Sequence, residues 1–358
     1  MKVGIQFFPD IGPEVKSARD YWHEALRLVA LVDRYGYHHV RTVEHYFLPY
    51  GGYSPNPVVF LAAAAQITRH ARLVTGAVLP AFNNPLKLAG ELAMLDALCD
   101  GRLDCGFARA FLPHEFHHFG VKLDESRARF DEGVAQVRML LEQESATSEG
   151  RFHSFRNVTS LPRPTQTPRP PFYVAALGTR DSFERAGANG YGIMAIPMAG
   201  GAMRDLIDAY RNARAAAGHE GPGTVMLAFH MLCHENQAEA ERLAREPLNR
   251  YLRSLVESAR QWTEGAASAD YPGYDKIVGA LALETFETQV AKGAAWIGTP
   301  ERILETIAGY REEVGFFEIA SLQVNFNDLP LAVAESSMRL FGEHVLPRLA
   351  RERPGVAR

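Results

Sequence analysis

Short apolar runs alternate with amphipathic segments along most of this chain. The apolar runs are rich in β-branched and aromatic residues and have the length of buried strands, while the segments between them repeat apolar residues at helical spacing. The predicted strands lie at residues 2–8, 38–44, 72–80, 101–108, 171–177, 191–198, 224–234 and 318–326. The clearest predicted helices lie at residues 20–35, 57–69, 85–98 and 124–142.

Eight strands separated by helices predict a parallel sheet that closes into a TIM (β/α)8 barrel with insertions. A doubly wound open sheet is the alternative. It is disfavoured by the strand count and because no G-x-G-x-x-G follows the first strand. We expect one domain over residues 1–358, with an excursion at about 150–170, a mobile lid at about 265–289 and a frayed tail at 350–358.

Composition narrows the function classes further. The chain has 358 residues, is 47% hydrophobic and carries a net charge of −4, which gives no field for binding nucleic acid. The apolar run at residues 57–65 ends at Gln66 and is too short to span a bilayer. The three cysteines form no C-x-x-C pair and are typical of a reducing compartment. We therefore expect a cytoplasmic protein with neither a nucleic-acid nor a membrane partner.

The stretch LPHEFHHFG at residues 112–120 contains an H-E-x-x-H pattern, from His114 to His118, as found in zinc hydrolases. Pro113 and Gly120 limit any helix here to about two turns, and no third ligand follows at a recognisable spacing. The sequence therefore favours a loop after the fourth strand, with no bound metal and with Glu115 as its anchor. A zinc hydrolase stays as an alternative that metal analysis would test.

Catalytic residues of such barrels lie at the carboxyl ends of the strands. After the fifth predicted strand, Thr179 and Ser182 begin a helix, where free amide groups and the helix dipole favour a phosphate. Arg109, after the fourth strand, and Arg127 are suited to bind the same anion. The alternative is that Thr179 only caps the helix and Asp181 only favours its first turn.

Several motifs in the same order resemble those of the bacterial luciferase-like flavin monooxygenases. They are TVEHYF, LVTGAVLP, NPLKLAGELAMLDALCDGRLDCGFARA, EFHHFGVKLDESRARFDE and WIGTPERI. The resemblance implies a TIM barrel that binds reduced FMN from a separate NAD(P)H:flavin reductase. It also implies that O2 adds to the flavin, and that the resulting flavin peroxide oxygenates a small organic substrate.

The resemblance also implies roles for individual residues. His45 matches the catalytic histidine and Glu44 its neighbouring acid. The positions that match the cofactor site are Gly76, Ala77, Arg109, Arg127, Gly178, Thr179 and Ser182. Judged from the residue alone, His45 fits a packed core histidine better than a catalytic one, although its ordinary pKa suits proton transfer.

Two departures from the family pattern affect the substrate. Tyr46 stands where luciferases carry a second histidine, and Ala108 stands where they carry a reactive cysteine. Both argue against bright light emission and favour a tailoring step in secondary metabolism. The expected substrate is apolar, and the residues expected to line its pocket are Phe8, Tyr46, Ala108, Phe111 and Phe229.

The sequence leaves two alternative functions open and favours a dimer. A deazaflavin-dependent oxidoreductase on the same fold is one alternative, and a non-catalytic flavin-binding protein is another. The family commonly forms dimers, and the apolar segments 58–67 and 85–98 contain small residues that allow close helix approach. We therefore expect a homodimer through these two helices.

Overall fold

Eight parallel strands close into a barrel in the computed structural model, which describes residues 1–351. The strands of this part of the chain, β1 to β11, span Lys2–Phe7, His39–Thr42, Arg72–Thr75, Leu103–Ala108, Ala146–Glu149, Ser154–Val158, Phe172–Ala176, Gly192–Ala195, Val225–Cys233, Ala295–Gly298 and Ile319–Gln323. The helices, α1 to α14, span Ala18–Val29, Val32–Tyr35, Pro57–Ile67, Pro85–Leu98, Pro113–His118, Ser126–Glu142, Arg180–Ala188, Gly200–Ala216, Gln237–Ala259, Tyr274–Leu281, Phe286–Ala291, Pro300–Val314, Leu331–His344 and Leu346–Arg351.

Strand pairing closes the sheet on itself. Around the barrel the order is β1, β2, β3, β4, β7, β8, β9 and β11, and β11 pairs with β1 again. All of these pairings are parallel. The predicted TIM barrel is therefore confirmed, and each of its eight strands falls within or overlaps a predicted apolar run.

One further parallel strand was not predicted. β10 has only four residues and pairs with the carboxyl half of β9, from Ala295 opposite His230 to Gly298 opposite Cys233. A four-residue run between two glycines, Gly293 and Gly298, is too short to show a periodic pattern. Thr299 then caps α12 through its side chain, which places the WIGTPERI motif at a strand-to-helix turn.

The helical predictions hold with small corrections. α4 has the predicted bounds because Asn84 caps it and Pro85 occupies its first turn. The segment predicted as one helix at residues 20–35 is divided into α1 and α2. The excursion at 150–170 begins earlier than predicted, since β5 and β6 form an antiparallel hairpin that starts at Ala146.

The segment predicted as a lid is not a structureless loop. Residues 265–289 contain α10 and the start of α11. Tyr271 and Tyr274 are buried and pack against the ring of Trp262, with centroids 5.0 Å and 5.3 Å from it. Burial of these aromatic side chains explains why the segment folds despite its weak periodicity. Its mobility stays a prediction.

Of the tail predicted to be frayed, at 350–358, residues 350 and 351 end α14, and the rest lies outside the described residues. Among the helices of residues 1–351, none combines the length and apolar character needed to cross a membrane.

Candidate active site

A cavity opens at the carboxyl ends of the barrel strands, where the sequence placed the chemistry. Most of the residues that the sequence singled out line this one cavity. They are Phe8, Glu44, His45, Gly76, Ala77, Ala108, Arg109, Phe111, Thr179 and Ser182. Parallel strands bring these distant positions to one edge of the sheet.

His45 pairs with a carboxylate from the segment after the fourth strand. Its Nδ1 lies 3.0 Å from Oε1 of Glu115, which is fully buried on α5 and also accepts a hydrogen bond from the backbone N–H of Tyr46. An ionised carboxylate only accepts, so Nδ1 is the donor and Nε2 of a neutral ring is left as an acceptor. The prediction that Glu115 anchors its loop is consistent with these contacts, and Glu115 also orients His45.

Aromatic rings surround the His45 imidazole. The rings of Phe8, Tyr50 and Phe111 have their centroids 5.5 Å, 5.5 Å and 6.0 Å from it. Gly51 passes so close that a Cβ there would lie 2.5 Å from the Cβ of His45. The imidazole is therefore held in one position in an apolar surrounding that limits access of water.

Glu44 lines the cavity but does not pair with His45. Its Oε1 accepts hydrogen bonds from the Tyr46 hydroxyl at 2.5 Å and from Asn83 at 2.9 Å, and its Oε2 accepts from the N–H of Leu79 at 2.9 Å. Burial raises the pKa of Glu44 to about 7. Glu44 thus ties the end of β2 to the loop after β3.

Two residues expected in the substrate pocket lie elsewhere. The hydroxyl of Tyr46 is held by Glu44, and its ring packs against Phe119 outside the cavity, with centroids 4.7 Å apart. Phe229 stacks on Trp296 at 4.3 Å behind the sheet, while its neighbour Ala228 lines the cavity. Successive residues of a strand face opposite sides, and the sequence did not reveal which residue of this pair faces inward.

The same cavity also has donors that suit a phosphate. The hydroxyls of Thr179 and Ser182 lie 2.7 Å apart at the start of α7, and both line the cavity. The Thr179 hydroxyl makes no capping hydrogen bond to the backbone of α7. The geometry therefore does not match the alternative in which Thr179 only caps the helix. Gly178 precedes Thr179 without lining the cavity, and a Cβ there would lie 2.8 Å from Sδ of Met198.

Arg109 and Arg127 meet beside these hydroxyls. Both line a second, adjoining cavity together with Ser182. Arg127 pairs with Asp181 at 3.0 Å, and Arg109 donates to the backbone oxygen of Asp270 at 2.6 Å. The Arg109 guanidinium also lies 4.2 Å from the centroid of the Tyr271 ring. Asp270 and Tyr271 belong to the predicted lid, and the sequence did not identify either as part of the site.

Gly76 and Ala77 form the cavity wall at the end of β3. A Cβ at Gly76 would lie 1.9 Å from Nε of Arg41, so only glycine fits there without displacing that arginine. The peptide bond between Gly76 and Ala77 is cis. Arg41 and Gln6 are further lining residues that the sequence reasoning missed. The available signal was a charged residue inside the apolar run of β2.

The side chains of the H-E-x-x-H pattern do not converge. Glu115 is bound to His45, Nε2 of His114 lies 3.3 Å from the backbone oxygen of Tyr46, and the ring of His118 packs against Phe47. Within residues 1–351, no group of three or more histidine, cysteine, aspartate or glutamate side chains is arranged to hold a metal ion.

Known proteins match this chain over most of its length. A family model described as luciferase-like monooxygenase matches residues 1–316. The crystal structure of the monooxygenase RslO1 from Streptomyces bottropensis is 43% identical, with a TM-score of 0.87, and the match covers 98% of this chain and 100% of that one.

Two further matches extend the comparison. The oxygenase component of the flavin-dependent trigonelline monooxygenase of Acinetobacter baylyi is 27% identical over 343 residues, which are 90% of this chain and 93% of that protein. The oxygenating constituent of 3,6-diketocamphane monooxygenase from Pseudomonas putida, solved with FMN, shares the fold. It is 21% identical with a TM-score of 0.81, and the match covers 97% of this chain and 98% of that one. The chain belongs to the luciferase-like monooxygenase family, and it is by class a flavin-dependent monooxygenase.

Proposed function

We propose that this protein is the oxygenase of a two-component system that uses reduced FMN and O2 to oxygenate a small apolar organic molecule. One observation carries the proposal. A single cavity is lined by Thr179, Ser182 and Arg109, which suit a phosphate, and also by the paired His45 and several apolar side chains.

The residues present fit FMN. Two hydroxyls, two arginines and the first turn of α7 supply the donors for a phosphate. The wall at Gly76 has no side chain, which lets a flat ring approach the backbone. A flavin without a phosphate would leave Arg109, Thr179 and Ser182 without a ligand.

The remaining wall favours an apolar substrate. Phe8, Leu79, Phe111 and Ile196 contribute apolar surface to the cavity wall. Ala108 also lines the cavity. Its small side chain leaves room beside the wall formed by Gly76 and Ala77. This room supports the proposal of a bulky substrate and of a tailoring step in secondary metabolism rather than bright light emission.

His45 is the residue that we assign to proton transfer. Reduced FMN supplies the two electrons with which one oxygen atom of O2 enters the substrate while the other leaves as water. Nε2 of His45 accepts or releases a proton beside the reacting atoms, and Glu115 stabilises the ring when it carries a positive charge. Phe8 and Phe111 keep bulk water from the same place. Glu44 positions the β2 and β3 loops through its three hydrogen bonds.

The partners follow from the same proposal. A separate NAD(P)H:flavin reductase delivers the reduced FMN, as the name of the Acinetobacter relative, an oxygenase component, also suggests for that system. The protein acts in the cytoplasm. It forms a homodimer through α3 and α4, whose outer faces expose Val59, Ile67, Met94 and Leu98.

Anaerobic titration tests the cofactor. We expect the protein to bind dithionite-reduced FMN and to bind the reduced deazaflavin F420 far more weakly. Binding of F420 without FMN would instead support the deazaflavin-dependent alternative. A panel of terpenes, aldehydes and polycyclic aromatic compounds, supplied with a reductase and ¹⁸O-labelled O2, then tests oxygenation. FMN binding with no labelled product from any of these classes would favour the non-catalytic flavin-binding alternative.

A further inference from the structure

Arg41 is a cation inside the barrel that the proposed proton chemistry does not use. It lies on β2, is 8% exposed and lines the cavity near Gln6 and Gly76. Its Nη1 donates to Oε1 of Gln6 at 2.7 Å, and its Nη2 donates to the backbone oxygen of Gly76 at 3.0 Å. The guanidinium is therefore fixed against the same wall where the proposed function places the flavin ring.

No carboxylate in residues 1–351 forms an ion pair with Arg41, whose two acceptors are both neutral. Its Nε has no hydrogen-bond partner there either. Arg72 shows the contrast, because its guanidinium contacts both carboxylate oxygens of Asp104 at 2.7 Å and 2.8 Å. Burial lowers the pKa of Arg41 to about 10, which still leaves it charged at neutral pH.

An unpaired buried cation is costly for a fold. Removing a charge from water costs several kcal/mol unless an opposite charge compensates it. A stable core does not need an unpaired guanidinium at a cavity wall. A binding site for an anion does need a cation there. Gly76 adds to this argument, because any larger residue would displace the guanidinium from its position.

We propose that Arg41 binds a planar anion in the cavity, one whose delocalised negative charge includes an acceptor oxygen. This inference rests on the proposed function. Two molecules of that reaction have such chemistry: the anionic ring of reduced FMN, with its charge over the N1–C2=O atoms, and a substrate that carries a phenolate-type oxyanion. The planar guanidinium presents parallel N–H donors that fit both.

The test compares Arg41→Gln with Arg41→Lys in the full chain. Dissociation constants are measured anaerobically for oxidised FMN and for dithionite-reduced FMN, and separately for para-nitrophenolate, whose visible spectrum reports its ionisation. Loss of a charged hydrogen bond lowers affinity by about 10- to 100-fold. If the flavin is the anion, Arg41→Gln weakens binding of reduced FMN by this factor and that of oxidised FMN much less.

If the substrate is the anion, Arg41→Gln leaves both flavin affinities unchanged and weakens para-nitrophenolate binding by the same factor. In either case Arg41→Lys retains part of the affinity. The melting temperature of the unliganded protein should not fall in Arg41→Gln, because an unpaired buried charge is removed. The control Arg72→Gln removes a paired arginine outside this cavity, and should lower the melting temperature without changing ligand preference.

Unchanged binding of all three ligands in Arg41→Gln, in a protein that still binds FMN, would overturn the inference and leave the proposed function standing. An equal loss for oxidised and reduced FMN, with a lower melting temperature, would also overturn it, since a merely structural arginine behaves in this way. A wild-type protein that binds no flavin would instead refute the proposed function itself.

Discussion

Nδ1 of His45 lies 3.0 Å from Oε1 of Glu115, which joins the end of β2 to the short helix α5 across 70 residues of sequence. The carboxylate is fully buried, and its second oxygen has no partner among the described residues. A buried carboxylate that accepts from one imidazole nitrogen fixes the tautomer and the orientation of the ring. The glutamate of the apparent zinc motif, on α5, therefore orients a histidine that follows β2.

Replacement of His45 should separate binding from chemistry. We expect His45→Ala to retain FMN binding and to lower kcat by about 10²- to 10⁴-fold, the contribution of a positioned acid–base group. Glu115→Gln keeps the size of the side chain but removes its charge, so it should lower kcat less and alter the pH profile of the reaction. The measurements are flavin titration and steady-state turnover. Turnover equal to that of the wild type in His45→Ala would refute the role.

The phosphate assignment can be tested with two flavins. Arg127→Gln should weaken FMN binding by about 10- to 100-fold, because a charged donor to the phosphate is lost, and should leave riboflavin binding unchanged. Fluorescence titration measures both affinities. Arg138→Gln is the matched control, since Arg138 lies on the same helix, α6, and pairs with Glu142 at the surface. Equal losses for the two flavins would show that Arg127 does not contact the phosphate.

Glu44 should make the stability of the protein depend on pH. Burial raises its pKa from 4.5 to about 7, so the folded protein binds this proton more tightly than the unfolded chain. Its stabilising contribution is complete below pH 4.5 and is lost as the pH rises through about 7. The shift corresponds to about 3 kcal/mol.

Glu44→Gln cannot ionise and should lose less stability than the wild type between about pH 5 and pH 8. Urea unfolding at several pH values measures the free energy of unfolding of both proteins. Curves that run parallel over this range would contradict the assignment.

The proposed dimer face depends on exposed apolar residues of α3 and α4. Met94 is 57% exposed on α4, so Met94→Glu places a charge in the proposed interface and should convert the dimer to a monomer. Light scattering after gel filtration gives the mass. Leu283→Glu is the control, because Leu283 is also exposed, at 77%, but lies between α10 and α11. A dimer that persists in Met94→Glu would place the interface elsewhere.

Ala108 should limit the size of substrate that fits in the cavity beside Gly76 and Ala77. Ala108→Leu adds three carbon atoms to a cavity-lining position and should weaken binding of bulky substrates more than small ones, whereas Ala108→Cys should have a smaller effect of the same direction. The ratio of kcat/KM for a large and a small substrate measures this. An unchanged ratio in both variants would show that Ala108 does not limit substrate size.

Strand-end positions were the part of the site that the sequence located best. His45, Gly76, Ala108 and Arg109 each follow or end an apolar run, and the parallel barrel brings such ends together whatever their separation in sequence. Thr179 and Ser182 were found in the same way, as hydroxyls at the start of a helix.

The sequence predicted poorly which side chains point into the cavity. Phe229 and Ala228 are adjacent, and only the packing of Trp296 behind the sheet decides which of them faces the cavity. Tyr46 was expected in the pocket, yet its hydroxyl donates a hydrogen bond to the buried carboxylate of Glu44.

By itself, the sequence determined the barrel and its eight strands, and it predicted the edge where the candidate site lies, because burial periodicity and helix caps are local signals. Only the tertiary structure decided that Glu115 pairs with His45, that Arg109 donates to the backbone of Asp270, and that Arg41 has no carboxylate partner within residues 1–351. These relationships join residues up to about 160 positions apart, and their energies depend on distance and burial, which no local pattern encodes.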